Sequence, residues 1–327
     1  MTGGEQLSFM NFPTVGSAQT FDSTSFCPDS ASTATSISTG HKTYSGVINM
    51  DTTKTVKYTT ISEQLKSQLG YKIGVLTTVN LNHATPAAFY AHQSSRKNYY
   101  EIGQELIASN FDYFAGGGFL SPTGKNKDLE SLYDVAKENG YTVITTQSEI
   151  EAVNKSTGKV IAVDENLADG DAMNYDMDLA DNKWELADYV QKGIEVLNND
   201  KGFFMMVEGS KIDRACHAND AAADPTLVLT DYEVQKLKTA YERTLKVGAS
   251  SQDKMTQEEY DLYGTYEPLS VTITHILNNK SGIAFSSYSH TGLPVPVFAV
   301  GNGSTLFDGY YDNTDIYNKI AALTKVK

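Results

Sequence analysis

Apolar and polar positions along this chain follow two periods, and the switches between them mark its elements. In residues 1–26 the apolar positions Phe9, Phe12, Val15 and Phe21 are spaced as short extended pieces in polar surroundings. Pro28 closes an irregular Ser-rich approach. A helix of small residues is expected from Ser30, with Gly40 in the left-handed position behind it. Residues 47–50 read as a strand. Thr60 and Glu63 form a capping box for a helix to Leu69, ended by Gly70. Residues 71–79 are apolar and β-rich, hence a buried strand, and Pro86 suits the first position of a helix through Ala91.

The alternation continues with a helix over 99–108 and a short strand at 113–115 that runs into Gly116, Gly117 and Gly118. A helix over 129–138 is closed by Gly140, followed by a strand at 141–145. An amphipathic helix over 186–197 precedes an apolar strand at 203–207 that ends at Glu208. Residues 119–127 and 165–183 read as polar loops. After Asp220 a helix is expected over 232–246, and 248–259 reads as a polar, mobile segment. Strands follow at 283–285 and 295–300, with an amphipathic helix at 316–323. Strands alternating with helices imply βαβ units, so the fold class is α/β with a central, largely parallel sheet flanked by helices. A single domain over 1–327 is expected, with ligand groups at strand C-terminal ends.

Composition narrows the partners. The chain has 327 residues, and 40 acidic against 26 basic side chains give a formal charge of −14. A stable nucleic-acid or anionic-membrane partner needs a basic face and is not expected. A phosphate ester remains compatible, because bound metal overrides the global field locally. Two cysteines, Cys27 and Cys216, make no disulfide framework and are expected as small buried thiols. No run is apolar enough to span a bilayer, and the N-terminal residues lack the basic and apolar regions of a signal peptide.

Three stretches carry candidate chemistry. Ser30 stands at a helix N-terminus, where backbone N–H groups and the dipole favour anions and lower the cost of a serine alkoxide. The bland role for the same residue is an N-cap. Asp213 and His217 are four apart, so a helical turn faces them one way as a His–carboxylate pair suited to zinc. His290, in a turn with Thr291 and Gly292, is a candidate third ligand, leaving the open position of a catalytic zinc. Spacing alone favours a surface Asp and His over ligands. Arg96 has the planar guanidinium that binds two phosphate oxygens at once, or else is a surface arginine at a helix end.

The segments Cys27 to Thr35, Asn82 to Ala88, Ser95 to Lys97, Val207 to Asn219 and Ser289 to Gly292, in this order and spacing, closely resemble the alkaline phosphatases. The resemblance implies that fold, with Ser30 and Arg96 as catalytic residues and Asp213, His217 and His290 as zinc ligands. It implies magnesium at Thr85 and Glu208. By the same resemblance Ser30 would also be a ligand of a second zinc, and His83 would stand at the third metal, where family members carry Asp or His. His41, His92 and His275 match no family ligand and read as structural. The implied reaction is hydrolysis of small phosphate monoesters, with inorganic phosphate as product, by two in-line displacements through a phosphoserine. A periplasmic or extracellular location and a homodimer are implied as well. The alternative is a non-catalytic zinc and phosphate binder.

Two family segments have no counterpart. Nothing before Ser8 corresponds to the family's Asp-Gly-Met-Gly strand, and none of the six histidines follows an aspartate as in its Thr-Ala-Asp-His segment. A missing block near Asp224 to Thr226 is expected, and with it the loss of most ligands of the second zinc.

Overall fold

Helix α1, Ser30–Thr39, is built from Ser, Thr, Ala and one Ile, yet most of it is buried. Its hydroxyls make this tolerable by bonding backbone carbonyls one turn back, Ser36 to Ser32 at 3.1 Å and Thr39 to Thr35 at 2.7 Å. Gly40 ends the helix at φ 75° against the ring of Tyr317, so a side chain there would meet both strain and a clash. The computed structural model describes residues 6–221, 228–247 and 255–327. The expected missing block near Asp224 to Thr226 falls outside them, as does 248–254 of the expected mobile segment.

The described chain forms two compact units. The larger, Ser8–Ser210 with Gly292–Lys327, holds two sheets. Strands β1 (Thr14–Gln19), β2 (Lys72–Asn80), β3 (Tyr113–Gly117), β4 (Tyr141–Ile144), β5 (Lys159–Val163), β6 (Phe203–Glu208), β7 (Val295–Ala299) and β8 (Gly309–Asp312) divide between them. The main sheet has the order β4-β5-β3-β2-β6 and is parallel throughout. The second has the order β7-β1-β8.

Alternate residues of the main sheet enter different cores, the period-two signature of a sheet covered on both faces. Ile73, Val75, Phe114 and Ile161 join one cluster, with Ile102 and Leu106 of helix α4 (Tyr99–Ala108). Leu76, Tyr113, Val160 and Ala162 join the other, with Tyr189, Val196 and Leu197 of helix α7 (Leu186–Leu197). Gly74 and Gly193 lack side chains where α7 meets the sheet, and a Cβ on Gly74 would sit 2.7 Å from Leu197.

Between these lie α2 (Ile61–Gln64), which continues into a π-helical turn Leu65–Leu69, and α3 (Ala84–Ala87). Helices α5 (Leu132–Glu138) and α6 (Gln147–Glu151) follow β3 and β4. The smaller unit, Lys211–Thr291 with Gln6 and Leu7, is helical. Its elements are α8 (Lys211–His217), α9 (Asp231–Val247), α10 (Gln257–Tyr263) and α11 (Pro268–Lys280). The Lys280–Glu233 pair at 3.0 Å links α9 and α11, and an Arg243–Glu259 pair links α9 and α10. The closing helix α12, Thr314–Thr324, packs on α1.

Several expectations need correction. Residues 47–50 form only isolated bridges, because Asn49 turns to φ 48° and spends its side chain on Ser38, Ala88 and Ala91. The helix expected from Pro86 starts at Ala84, so Pro86 is its third residue, and it stops at Ala87. Residues 283–285 are not a strand. Gln257 to Glu259, expected mobile, begin α10 under a Thr256/Glu259 capping box. Cys27 and Cys216 are free and exposed rather than buried. Phe9 lies in a 3₁₀ turn, Ser8–Asn11, rather than an extended piece.

His92 shows why a half-buried histidine need not be a ligand. Its ring lies between Glu63 at 3.4 Å and Glu105 at 3.6 Å, and Nε2 is 3.0 Å from the Tyr58 carbonyl. Burial opposes its charge, but Glu105 and Glu63 override this and push the pKa up to about 9. A raised folded pKa contributes stability fully below the unfolded value near 6.5 and loses it as pH rises through 9. Urea unfolding at about pH 7 and about pH 10 should therefore show a loss of up to ~3 kcal/mol that His92→Gln largely removes. Equal losses in parent and variant would contradict this.

Candidate active site

In open parallel sheets, ligands gather where neighbouring strands send their connections opposite ways. Here the chain leaves β2 towards β3 on one side, and β6 is added later as the edge strand on the other side of β2. His83 and Thr85 follow the C-terminal end of β2, and Glu208 is the last residue of β6. Glu208 is in register with Thr77, whose Oγ1 donates to its Oε2 at 2.6 Å. Thr85 sits in α3, half-buried. Hydroxyl and carboxylate oxygens leaving the same sheet end are donors that magnesium accepts together with water.

Ser30 is the first residue of α1, not its cap. The cap is Asp29, whose Oδ1 accepts from the backbone N–H groups of Ser32 and Gly46, each at 3.0 Å. The Asp29 carbonyl takes the Thr33 N–H at 3.1 Å. The Ser30 and Ala31 N–H groups fall outside that capping pattern, as the first donors of a helix do. Oδ2 of Asp29 accepts from Nη1 of Arg96 at 2.9 Å. Burial disfavours the charge on Asp29, but the Ser32 and Gly46 N–H groups and Arg96 outweigh it and hold the pKa below its usual value.

Arg96 is fixed from two sides. Its backbone N–H donates to the Gly46 carbonyl at 2.7 Å, and its Nη2 lies 3.4 Å from Nε2 of His83. One carboxylate thus caps the serine helix and anchors the arginine. Asn49 joins this arrangement to α3, accepting from Ser38 of α1 and donating to the Ala88 and Ala91 carbonyls, both at 2.8 Å.

The three candidate zinc ligands belong to the smaller unit and lie together. Their ligating atoms are all within 4.8 Å of one another. Nε2 of His217 is 3.4 Å from Oδ1 of Asp213, and Nε2 of His290 is 4.0 Å from the same oxygen. Ligand atoms around a tetrahedral zinc stand about 3.3 Å apart, given Zn–N and Zn–O bonds of about 2.0–2.2 Å. Nδ1 of His217 lies 2.6 Å from the Tyr288 carbonyl, which only accepts. Nδ1 therefore donates to that carbonyl and leaves Nε2 as the atom that faces Asp213, the ring orientation a ligating histidine needs. The donor set fits zinc.

Sequence reading did not find Asp29 as cap and arginine anchor, although an Asp three residues before a backbone donor is a cap signal. Thr77 and the Tyr288 carbonyl were beyond its reach, since only the β2–β6 register and the fold of the smaller unit bring them to Glu208 and His217. His41 stacks on Tyr58, and His275 bonds Asn219 and Tyr288, consistent with structural roles.

Comparison with known proteins gives a consistent picture. The family described as alkaline phosphatase matches residues 2–261. Alkaline phosphatase 4 of Bacillus subtilis is 30% identical over 366 aligned positions, taking in 91% of this chain and 76% of that protein. That span exceeds the 327 residues here, so the alignment opens gaps in this chain. The Escherichia coli alkaline phosphatase is 26% identical, over 92% of this chain and 75% of its own. Among solved structures, the cold-active alkaline phosphatase of a psychrophilic Shewanella has a TM-score of 0.79 at 26% identity, over 98% of this chain and 92% of that one. A variant of the alkaline phosphatase from the Antarctic bacterium TAB5, with Mg bound in the M3 site, has a TM-score of 0.73 at 28% identity, over 99% and 92%. Among the described residues no helix is long and apolar enough to cross a membrane.

Proposed function

This chain belongs to the alkaline phosphatase family, a family of phosphoric monoester hydrolases, and from that premise we propose that it cleaves phosphate monoesters through a phosphoserine on Ser30. The observation that carries this reading is the 2.9 Å contact between Asp29 and Arg96, which brings a phosphate-binding guanidinium to the end of the helix that Ser30 begins.

Ser30 Oγ attacks phosphorus, its proton passing to solvent. A new P–O bond forms as the bond to the substrate alcohol breaks, and the departing alkoxide takes up a proton. Water then attacks the phosphoserine, the serine P–O bond breaks, and inorganic phosphate leaves with Ser30 restored. The N-terminal N–H groups of α1 and its dipole favour both the alkoxide and the bound phosphate. Asp29 holds Nη1 of Arg96, and the other N–H donors of the guanidinium meet two phosphate oxygens in a forked geometry. Asp213, His217 and His290 would hold zinc, Thr85 and Glu208 would hold magnesium, and His83, beside Arg96, would tune the third metal. Bound metals supply Lewis acidity for phosphoryl oxygens and lower the pKa of water. The substrates are small phosphate monoesters, and a periplasmic or extracellular setting and a homodimer accompany the family assignment.

Arg96→Ala should weaken inhibition by inorganic phosphate roughly 10- to 100-fold, the value of charge-assisted hydrogen bonds worth about 1.5–3 kcal/mol. Thermal stability should change little, because Asp29 keeps its cap bonds to Ser32 and Gly46. Equal phosphate affinity in parent and variant would remove Arg96 from the site.

A further inference from the structure

Asp22 is a carboxylate with 5% exposure that the proposed chemistry does not use. Five donors converge on it. Oδ1 accepts from the backbone N–H and hydroxyl of Thr24, each at 2.7 Å, and from the Ser25 N–H at 2.8 Å. Oδ2 accepts from the hydroxyls of Ser32 at 2.6 Å and Ser45 at 2.5 Å. One oxygen thus folds its own loop, and the other reaches two segments that surround Ser30 and Arg96.

Those two segments set the site's geometry. Ser32 is the third residue of α1, and its N–H is the one that Asp29 caps. Ser45 precedes Gly46, whose N–H donates to Asp29 and whose carbonyl accepts the Arg96 N–H. A shift of the Ser45–Gly46 peptide therefore moves Asp29 and Arg96 together. Burial opposes the charge on Asp22, but the Ser32, Ser45 and Thr24 hydroxyls and the Thr24 N–H hold its pKa below the usual value. It therefore stays an acceptor.

We propose that Asp22 is a positioning residue for phosphate recognition, fixing the Ser45–Gly46 peptide and the first turn of α1 so that Arg96 and Ser30 address one phosphate. This rests on the roles assigned to Ser30 and Arg96 above. The device works through hydrogen-bond geometry rather than the charge of Asp22. An amide of the same shape keeps the three donors on Oδ1. Its NH₂ group bonds Ser32 and Ser45 once those hydroxyls turn to accept.

The test measures inhibition by inorganic phosphate and kcat/KM for p-nitrophenyl phosphate in the full chain. Asp22→Ala should lower both roughly tenfold, since displacement of a positioning group by about 1 Å costs up to ~100-fold. Asp22→Asn should restore both to within about threefold, a rescue that separates geometry from charge. Ser45→Ala, which removes a single contact, should weaken phosphate inhibition roughly threefold and serves if Asp22→Ala does not fold. Unchanged phosphate inhibition in folded Asp22→Ala, or in Ser45→Ala, would overturn the proposal, as would failure of Asp22→Asn to rescue. Arg96→Ala measured alongside separates the two levels. If it also leaves phosphate inhibition unchanged, the reading of Arg96 fails and this proposal with it. If Arg96→Ala weakens inhibition and the Asp22 and Ser45 variants do not, only the positioning role fails.

Discussion

Ser30→Ala should reduce hydrolysis of a small aryl phosphate by roughly three or more decades, a barrier increase of at least about 4 kcal/mol. A free serine hydroxyl is a weak nucleophile, and what strengthens it here is position. Ser30 opens a ten-residue helix whose cap, Asp29, takes the Ser32 and Thr33 donors through its side chain and carbonyl. Alanine suits a first helical turn and leaves those cap bonds in place, so the variant should fold with a near-parental melting temperature. The loss should therefore fall on kcat, while inorganic phosphate still binds through Arg96. Undiminished turnover in Ser30→Ala would assign the attack to water or another group.

The second large effect concerns the cluster in the smaller unit. His217→Ala should take the zinc content of the purified chain from about one ion to near zero and cost roughly three or more decades of activity, because a Lewis acid stabilising phosphoryl charge is worth several kcal/mol. The 3.4 and 4.0 Å separations about Oδ1 of Asp213 already approach ligand spacing, and the Tyr288 carbonyl orients the His217 ring through Nδ1. Little reorganisation is needed, so zinc should bind the folded parent and raise its stability with the logarithm of its free concentration above Kd. Elemental analysis checks the first half of the expectation and steady-state kinetics the second. Three tightly held zinc ions per chain would contradict it, since no histidine here follows an aspartate to build a second site. Retention of zinc by His217→Ala would dismiss the cluster as the binding site.

Elements with strong local signals were legible in the sequence. The helices α4 and α7 match their expected bounds, Tyr99–Ala108 and Leu186–Leu197, because their apolar stripes face the sheet without interruption. The Thr60/Glu63 box and Gly70 mark the ends of α2 with its π turn as expected. Strand β5, Lys159–Val163, was not assigned: it is five residues long and its pairing with β3 and β4 is entirely non-local. Helix α11 was missed because Val271 to Thr274 are β-branched and argue locally for a strand. Pro268 at its start, capped by Glu267, and packing against α9 decide otherwise.

The site divides in the same way. The candidates Ser30, Arg96 and the Asp213–His217 pair could be named from the sequence because they fall in segments that resemble the alkaline phosphatases. Local pattern alone reads them as a cap, a surface arginine and a surface pair. The link from Asp29 to Arg96 spans 67 residues, and that from Thr77 to Glu208 spans 131, so only the folded chain shows them. Exposed Cys27 and Cys216 make the complementary point. Residue type favoured burial, and position beside functional segments overrode it.

The central claim is a covalent phosphoserine at Ser30. The most direct measurement incubates the purified, zinc- and magnesium-supplemented chain with radiolabelled inorganic phosphate, quenches it in acid, and maps the labelled peptide. The account predicts label on the peptide containing Ser30, absent from Ser30→Ala and reduced in Arg96→Ala. An actively hydrolysing parent that carries label elsewhere, or none under conditions that saturate phosphate binding, would contradict it.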